Sequence, residues 1–101
     1  MSVVVTTITP LPEYHDEVIA AFTATIPRVH AEDGCELYAL HAAPDRLIMI
    51  EKWSSRDALG TRSKGAALAA LNPKLAGKVT GPSEVIVLDA VPAGDAAKGQ
   101  L

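Results

Sequence analysis

The most informative group of reactive side chains in this chain is the triplet Glu51-Lys52-Trp53. Alternate residues of a β-strand share a face, so Glu51 and Trp53 are expected to lie beside Leu47 and Met49. A carboxylate on such an apolar face needs a polar partner. The side chains that could supply it are Arg28, Arg62 and Tyr38. The simpler interpretation is a buried ion pair beside a core tryptophan, and the alternative is a pocket for an aromatic ligand.

The three histidines differ in the surroundings that the sequence gives them. His15 lies among acidic residues at the start of a predicted helix, and His30 lies in its last turn, where a cation interacts favourably with the helix dipole. Both are expected to be structural or solvent-facing. His41 lies among apolar residues in a predicted strand and is a candidate catalytic residue that could line a cavity. A hydrogen-bonded histidine at an interface is the simpler interpretation of His41.

The sequence does not predict a metal site, a disulfide or a phosphate-binding loop. No two histidines have the spacing of metal ligands. Cys35 is the only cysteine, and it is expected to act as a small apolar residue at the start of a strand rather than as a nucleophile. The motifs G-x-S-x-G and G-x-G-x-x-G do not occur.

The first part of the chain is predicted to form a strand and a long helix. The β-branched residues 3–9 indicate the strand, which Pro10-Leu11-Pro12 would end. Apolar residues at helical spacing indicate the helix over residues 13–30, with a kink or an early stop at Pro27. Gly34 can adopt a positive φ and end the helical region. The predicted apolar stripe consists of Val18, Phe22, Thr25, Ile26 and Val29.

The remaining residues predict a β-hairpin, a helical region and a last strand. Pro44-Asp45 favours a turn between strands at residues 35–42 and 46–53. Ser54 and Ser55 are candidate N-caps of a short helix through Ala58 and Leu59. The other predicted elements are a helix over Lys64–Leu71, a new helical turn starting at Asn72-Pro73 and continuing to about Lys78, and a strand over Val85–Val91.

The resulting order β-α-β-β-α-β predicts a ferredoxin-like α+β fold, in which two helices cover one face of a four-stranded antiparallel sheet. Residues 47–50 and 85–88 are apolar at every position, so both faces of the sheet need to be covered. The same face of a second copy would cover the side without helices. We therefore expect a homodimer through the sheet faces, forming a dimeric α+β barrel.

Composition limits the class of protein. The 101 residues allow one domain, which we assign to residues 1–91, followed by a tail at 92–101. With 49% hydrophobic residues and a net charge of −3, the chain is too apolar for disorder, and its 4% aromatic content does not suit nucleic-acid binding. No apolar run approaches the roughly 20 residues that span a bilayer, and Met1–Val5 lacks the charged region of a signal peptide. A cytoplasmic location is expected.

Two segments resemble a known family. Residues 32–38 match the pattern E-x-G-C-x-x-Y, and Glu51-Lys52-Trp53 followed by Ala58-Leu59 matches E-x-W…A-L. Both patterns are similar to those of the antibiotic biosynthesis monooxygenase family, which includes quinol monooxygenases, and the similarity extends over residues 3–91. The resemblance implies small dimeric α+β barrels that oxidise electron-rich phenols or quinols to quinones with O₂, using no metal, flavin or haem.

The resemblance also implies a position for the site. Many family members have histidine in the pattern L-x-x-H, where this chain has Arg62, in Leu59-Gly60-Thr61-Arg62. Arginine stays protonated, so it could hold a phenolate or a carboxylate but could not act as a base. The candidate catalytic residues are His41 and Arg62, and the candidate residues for binding a small aromatic ligand are Tyr38, Glu51, Trp53 and Arg62.

Two alternatives to a monooxygenase remain at the level of sequence. One is a non-catalytic dimeric protein that binds a small molecule on the same scaffold, because a fold does not determine a function. The other is a relative that binds or degrades haem. That activity would need an axial histidine on the second helix, and residues 54–80 contain no histidine.

Overall fold

A computed structural model describes residues 2–55, 57–58 and 65–101, with elements in the predicted order β-α-β-β-α-β. The strands are β1 (Ser2–Ile8), β2 (Cys35–Ala42), β3 (Leu47–Trp53) and β4 (Glu84–Leu88). The helices are α1 (His15–His30) and α2 (Ala66–Leu75), and a 3₁₀ turn over Pro12–Tyr14 precedes α1. The strands form one antiparallel sheet in the order β2-β3-β1-β4, which confirms the ferredoxin-like fold.

Helix α1 packs through the stripe that its sequence predicts. Val18, Phe22, Thr25 and Val29 are buried, and Ile26 packs against the core at partial exposure. The expected early stop at Pro27 does not occur, because α1 continues to His30. Pro27 lies on the exposed side of the helix, where water can bond to the carbonyl that proline leaves without a partner. The last turn of α1 places Val29 in the core.

Helix α2 differs from its prediction. It runs without interruption over Ala66–Leu75, so the prediction of a new helical turn at Asn72-Pro73 is wrong. A continuous helix keeps Ala67, Leu71 and Leu75 on one face, at intervals of four residues, and this face packs against the core. Pro73 removes one backbone hydrogen bond from the helix and its ring crowds the carbonyl four residues earlier, and this packing offsets that cost. The predicted start of the helix at Lys64 lies outside the described residues.

Gly34 brings the two motif segments into contact. Its φ is +83°, as predicted for the residue that ends the helical region, and its carbonyl accepts a 2.8 Å hydrogen bond from the Ser54 N–H. A Cβ at this position would lie 2.5 Å from the Ala58 Cβ and 2.7 Å from the Ser54 Oγ. The Ser55 Oγ accepts a 3.1 Å hydrogen bond from the Ala58 N–H, which confirms the predicted N-cap.

The two faces of the sheet are set by strand register. On β3, Leu47, Met49, Glu51 and Trp53 are buried on the face that the helices cover. These residues pair across β1 with Ile8, Thr6, Val4 and Ser2. The alternate residues of β3, Ile48, Ile50 and Lys52, lie on the opposite face, which we call the open face.

The last strand is shorter than predicted and its side chains are exposed on both faces. Strand β4 ends at Leu88 rather than at residue 91. Leu88 pairs with Val3, and Ser2 is the only residue of β1 beyond that pair. A longer β4 would therefore have almost no β1 residues left to pair with. All four apolar residues of β4 are at least 40% exposed.

Within the described residues, no helix has both the length and the apolar character of a membrane span.

Candidate active site

A cavity of about 280 Å³ lies between the helix-covered face of the sheet and the two helices. Cavities of this kind bind small molecules when apolar walls surround a few polar groups. The apolar walls are Val4, Ile8, Phe22, Met49, Leu68, Leu71, Leu75 and Val85. The polar lining residues are Thr6, Tyr38, Glu51, Asn72 and Ser83. This composition suits a planar apolar ligand that carries a small number of oxygen atoms.

Glu51 is the acidic side chain among these lining residues, and its position is fixed by two hydrogen bonds. The residue is only 7% exposed. Its Oε1 accepts a 3.0 Å hydrogen bond from the indole Nε1 of Trp53, and its Oε2 accepts a 3.1 Å hydrogen bond from the Thr6 hydroxyl. Both donors are neutral, so they orient the carboxylate without contributing a positive charge. Glu51 can therefore accept a proton or a hydrogen bond from a ligand in the cavity.

The partners that the sequence suggested for Glu51 have different positions. Tyr38 is opposite Glu51 on the neighbouring strand β2 and lines the same cavity. Arg28 is exposed in the last turn of α1. Arg62 lies outside the described residues, so its roles as a candidate catalytic and ligand-binding residue stay predictions. Of the four candidate binding residues, the structure thus places Tyr38 and Glu51 in the lining of the cavity.

Trp53 is fully buried and is not among the residues that line the cavity. It shares a face of β3 with Glu51, as the period-two argument predicted. Its described contribution to the site is the indole N–H bond that holds Glu51 Oε1. A tryptophan whose ring fills the core while its N–H reaches a carboxylate satisfies both its apolar and its polar parts.

The histidines lie away from this cavity. His41 is exposed on the open face, opposite Ile48, and its Nδ1 is 3.2 Å from the Ala39 carbonyl, so the sheet separates it from Glu51. His30 donates from Nε2 to the Tyr38 carbonyl at 3.0 Å, and His15 Nε2 lies 3.4 Å from the Ala43 carbonyl. Both contacts agree with the structural roles expected of these two residues. Among the described lining residues there is no histidine.

Three polar lining residues were not identified from the sequence: Thr6, Asn72 and Ser83. Thr6 had a usable signal, because period two along β1 places it on one face with Val4 and Ile8. A single hydroxyl among buried aliphatic side chains then indicates a polar partner on a neighbouring strand. Asn72 was interpreted as an N-cap, although α2 continues past it.

The structure also gives the surroundings of Cys35 and of the side chains that could act as metal ligands. Cys35 is half-buried at the start of β2 and packs against the core, in agreement with its expected role as a small apolar residue. Within residues 2–55, 57–58 and 65–101, no three His, Cys, Asp or Glu side chains form a group that could hold a metal ion.

Comparison with known proteins gives one family and several similar structures. The profile of the family described as "Antibiotic biosynthesis monooxygenase" matches residues 1–73. Rv0793 from Mycobacterium tuberculosis is 25% identical, with a TM-score of 0.84, covering 93% of this chain and 98% of that one. A structure described as an antibiotic biosynthesis monooxygenase is also 25% identical, with a TM-score of 0.83, covering 91% of this chain and 100% of that one.

A third structure shows the same fold at lower identity. It is described as a putative antibiotic biosynthesis monooxygenase from Caulobacter crescentus, is 24% identical with a TM-score of 0.82, and covers 89% of each chain. No curated protein matches the sequence.

Proposed function

Because the chain belongs to the antibiotic biosynthesis monooxygenase family, we propose that it oxidises a small phenol or quinol with O₂ in the cavity beside Glu51, without a metal or organic cofactor. The observation that carries this proposal is a buried carboxylate held by two neutral donors within apolar walls. Such a group is suited to removing a proton from a bound hydroxyl.

Deprotonation by Glu51 makes the reaction with O₂ feasible. A phenolate is far richer in electrons than the phenol, and it can transfer an electron to O₂. For a phenol, one oxygen atom of O₂ then becomes the new carbonyl oxygen of a quinone, and the other leaves as water with the two hydrogens lost by the ring and the hydroxyl. The protein's part is to supply the base, to hold the ring and to keep bulk water away from the reactive species.

The cavity provides a matching set of contacts for such a ligand. The ring would lie among Phe22, Met49 and Leu71, with its hydroxyl directed at Glu51. Asn72 and Ser83, both exposed lining residues, would bind a second oxygen atom near the rim. Tyr38 lines the same cavity from β2. Arg62, at the position where the family resemblance implies a functional side chain, would hold an anionic substituent through its permanent positive charge.

We further propose that the open face pairs with the same face of a second copy. Ile48 and Ile50 of β3 lie on this face and are only half-buried. Ile86 and Leu88 of the edge strand β4, which pairs with β1, are 47% and 42% exposed. Pairing through a two-fold axis would bury this apolar surface and would give the barrel implied by the resemblance. His41, on the same face, would then become an interface residue.

Oxygen consumption tests the proposed activity. Wild-type protein with 1-naphthol or 1,4-dihydroxynaphthalene should consume O₂ above the rate without protein, with no added metal or flavin. Glu51→Gln keeps the shape of the side chain but removes the base, and it should lower kcat about 100-fold or more. The matched control is Glu13→Gln, because Glu13 is exposed and lies before α1.

The outcomes separate the proposal from its alternatives. Binding of the phenols with no O₂ consumption would contradict catalysis and favour the non-catalytic binding protein. Wild-type rates in Glu51→Gln would contradict the assignment of the base. A Soret shift on titration with haem, together with no response to phenols, would favour the haem-binding alternative.

A further inference from the structure

We propose that Thr6 relays the proton between the hydroxyl of the bound ligand and the Oε2 atom of Glu51. The inference rests on the proposed function, and it assigns a catalytic role to a residue that the family patterns in this sequence do not include. The structural basis is the chain of contacts from Trp53 through both oxygens of Glu51 to Thr6, which lines the cavity.

The indole of Trp53 determines which oxygen of Glu51 takes up a proton. Indole Nε1–H is a donor only, so Oε1 must act as the acceptor of the 3.0 Å bond whether Glu51 is ionised or neutral. Protonation at Oε1 would compete with this buried bond. The incoming proton is therefore placed on Oε2, and Oε2 is the oxygen that lies 3.1 Å from the Thr6 hydroxyl.

The Thr6 hydroxyl has the properties that a relay needs. A hydroxyl is one donor and two acceptors, and its hydrogen can rotate between partners. While Glu51 is ionised, Thr6 donates to Oε2. When a ligand hydroxyl approaches Thr6 Oγ1, the O–H bond of the ligand breaks and a new one forms at Oγ1. The hydrogen that Thr6 held passes to Oε2, so that the ligand becomes a phenolate and Glu51 becomes neutral.

The same route returns the proton. Neutral Glu51 donates from Oε2 to Thr6, which passes a proton to the oxygen atom that leaves as water. One proton is moved in each direction and Thr6 ends unchanged, so the relay itself neither oxidises nor reduces any group. The oxidant is the O₂ of the proposed reaction.

Few other groups are placed to share this role. Tyr38, on β2, is the other titratable side chain among the described lining residues. None of the described lining residues of α1, α2, β4 and the segment preceding β4 has a titratable side chain. These residues are Phe22, Leu68, Leu71, Asn72, Leu75, Ser83 and Val85. Tyr38→Phe is therefore a necessary comparison for any variant of Thr6.

The test uses Thr6→Val, which keeps the branched shape and removes the hydroxyl, and Thr6→Ser, which keeps the hydroxyl. The control is Thr7→Val, because Thr7 is on the open face opposite Ile48. The probe is 7-hydroxycoumarin, a two-ring phenol whose phenolate absorbs at longer wavelength than the neutral form. Its spectrum is recorded bound to each variant without O₂, and kcat and KM are measured with 1-naphthol in air.

We expect wild-type protein, Thr7→Val and Thr6→Ser to bind the probe with a strong phenolate band. Thr6→Val should bind it with a Kd within about threefold of wild type but lose most of that band, and its kcat should fall about 10- to 100-fold with little change in KM. Thermal unfolding of each variant shows that the comparison concerns folded protein.

Other outcomes would disprove the relay, or the proposed function on which it depends. Thr6→Val with a wild-type phenolate band and kcat, while Glu51→Gln loses both, would show direct transfer to Glu51 and would disprove the relay alone. Failure of Thr6→Ser to restore the band would also disprove it. A loss in Tyr38→Phe alone would assign the relay to Tyr38. A wild-type band in Glu51→Gln would instead disprove the proposed base.

Discussion

The indole N–H of Trp53 and the carboxylate of Glu51, two residues apart on the same face of β3, are joined by a 3.0 Å hydrogen bond inside the core. The bond couples the largest fully buried side chain of the strand to the acidic group that borders the cavity. We therefore expect both the stability of the protein and the proposed activity to be sensitive to this contact.

Trp53→Phe tests that coupling. Phenylalanine keeps much of the ring but removes the donor, so Glu51 Oε1 loses a buried hydrogen bond and the free energy of unfolding should fall by about 1–3 kcal/mol. Trp53→Ala should cost about 3–5 kcal/mol, because it also leaves a cavity. Urea denaturation measures both changes. A Trp53→Phe protein with unchanged kcat would show that this bond does not position Glu51 for catalysis.

Gly34→Ala should destabilise the protein through two separate effects. Alanine is strained at a φ of +83°, and its Cβ would overlap Ala58 and Ser54. Gly77→Ala is the matched control, since Gly77 also has a positive φ, +75°, but has open space where the Cβ would lie. We expect a loss of about 1 kcal/mol for Gly77→Ala from backbone strain alone.

The loss for Gly34→Ala should be larger than this control by about 1–3 kcal/mol, the usual cost of overpacking. Chemical denaturation of the two variants gives the difference directly. Equal losses would mean that the contact with Ala58 relaxes freely.

Ile50→Asp tests the proposed pairing of open faces. The register places both Ile48 and Ile50 on that face, where each is half-buried in the single chain. A charge at either position should therefore be completely buried only in a dimer. Light scattering at micromolar concentration should give a dimer for wild type and about 10.6 kDa for Ile50→Asp. Ala24→Asp, on the exposed side of α1, should remain dimeric. A wild-type protein of monomer mass would refute the pairing.

Arg62→Ala tests the residue at the position where the family resemblance implies a functional side chain. We expect binding of acidic aromatics to weaken by about 1–3 kcal/mol while thermal stability stays nearly the same. Trp53 is the only tryptophan and bonds to Glu51, so its fluorescence reports ligand binding. Arg28→Ala, at the exposed end of α1, is the control. Equal affinities in both variants would remove Arg62 from the site.

Local pattern predicted those parts of the site that lie along one strand. Alternation on β3 was enough to place Glu51 and Trp53 on one buried face with Leu47 and Met49. It could not identify Thr6 as a partner of Glu51, because the two residues are 45 positions apart and strand register is a tertiary property. The same limit applies to His41, whose apolar sequence neighbours did not reveal which face it occupies.

Helix α2 shows how tertiary packing overrides a local signal. Asn72-Pro73 has the residue types of an N-cap and a first helical position, so the sequence favoured a new helical turn there. Burial of Leu71 and the packing of Leu75 against the core keep the helix continuous instead. Burial of Leu71 and partial burial of Leu75 together offset the cost of Pro73 inside the helix.

The alternation of β3 has a consequence for how this protein can change over evolution. Glu51 belongs to the cavity, whereas Ile50 and Lys52 on either side of it belong to the open face. Each substitution in the strand therefore alters one surface and leaves the other nearly intact. The proposed ligand site and the proposed pairing surface can therefore diverge independently within seven consecutive residues. A mutant library restricted to alternate codons of this strand would sample one surface without the other.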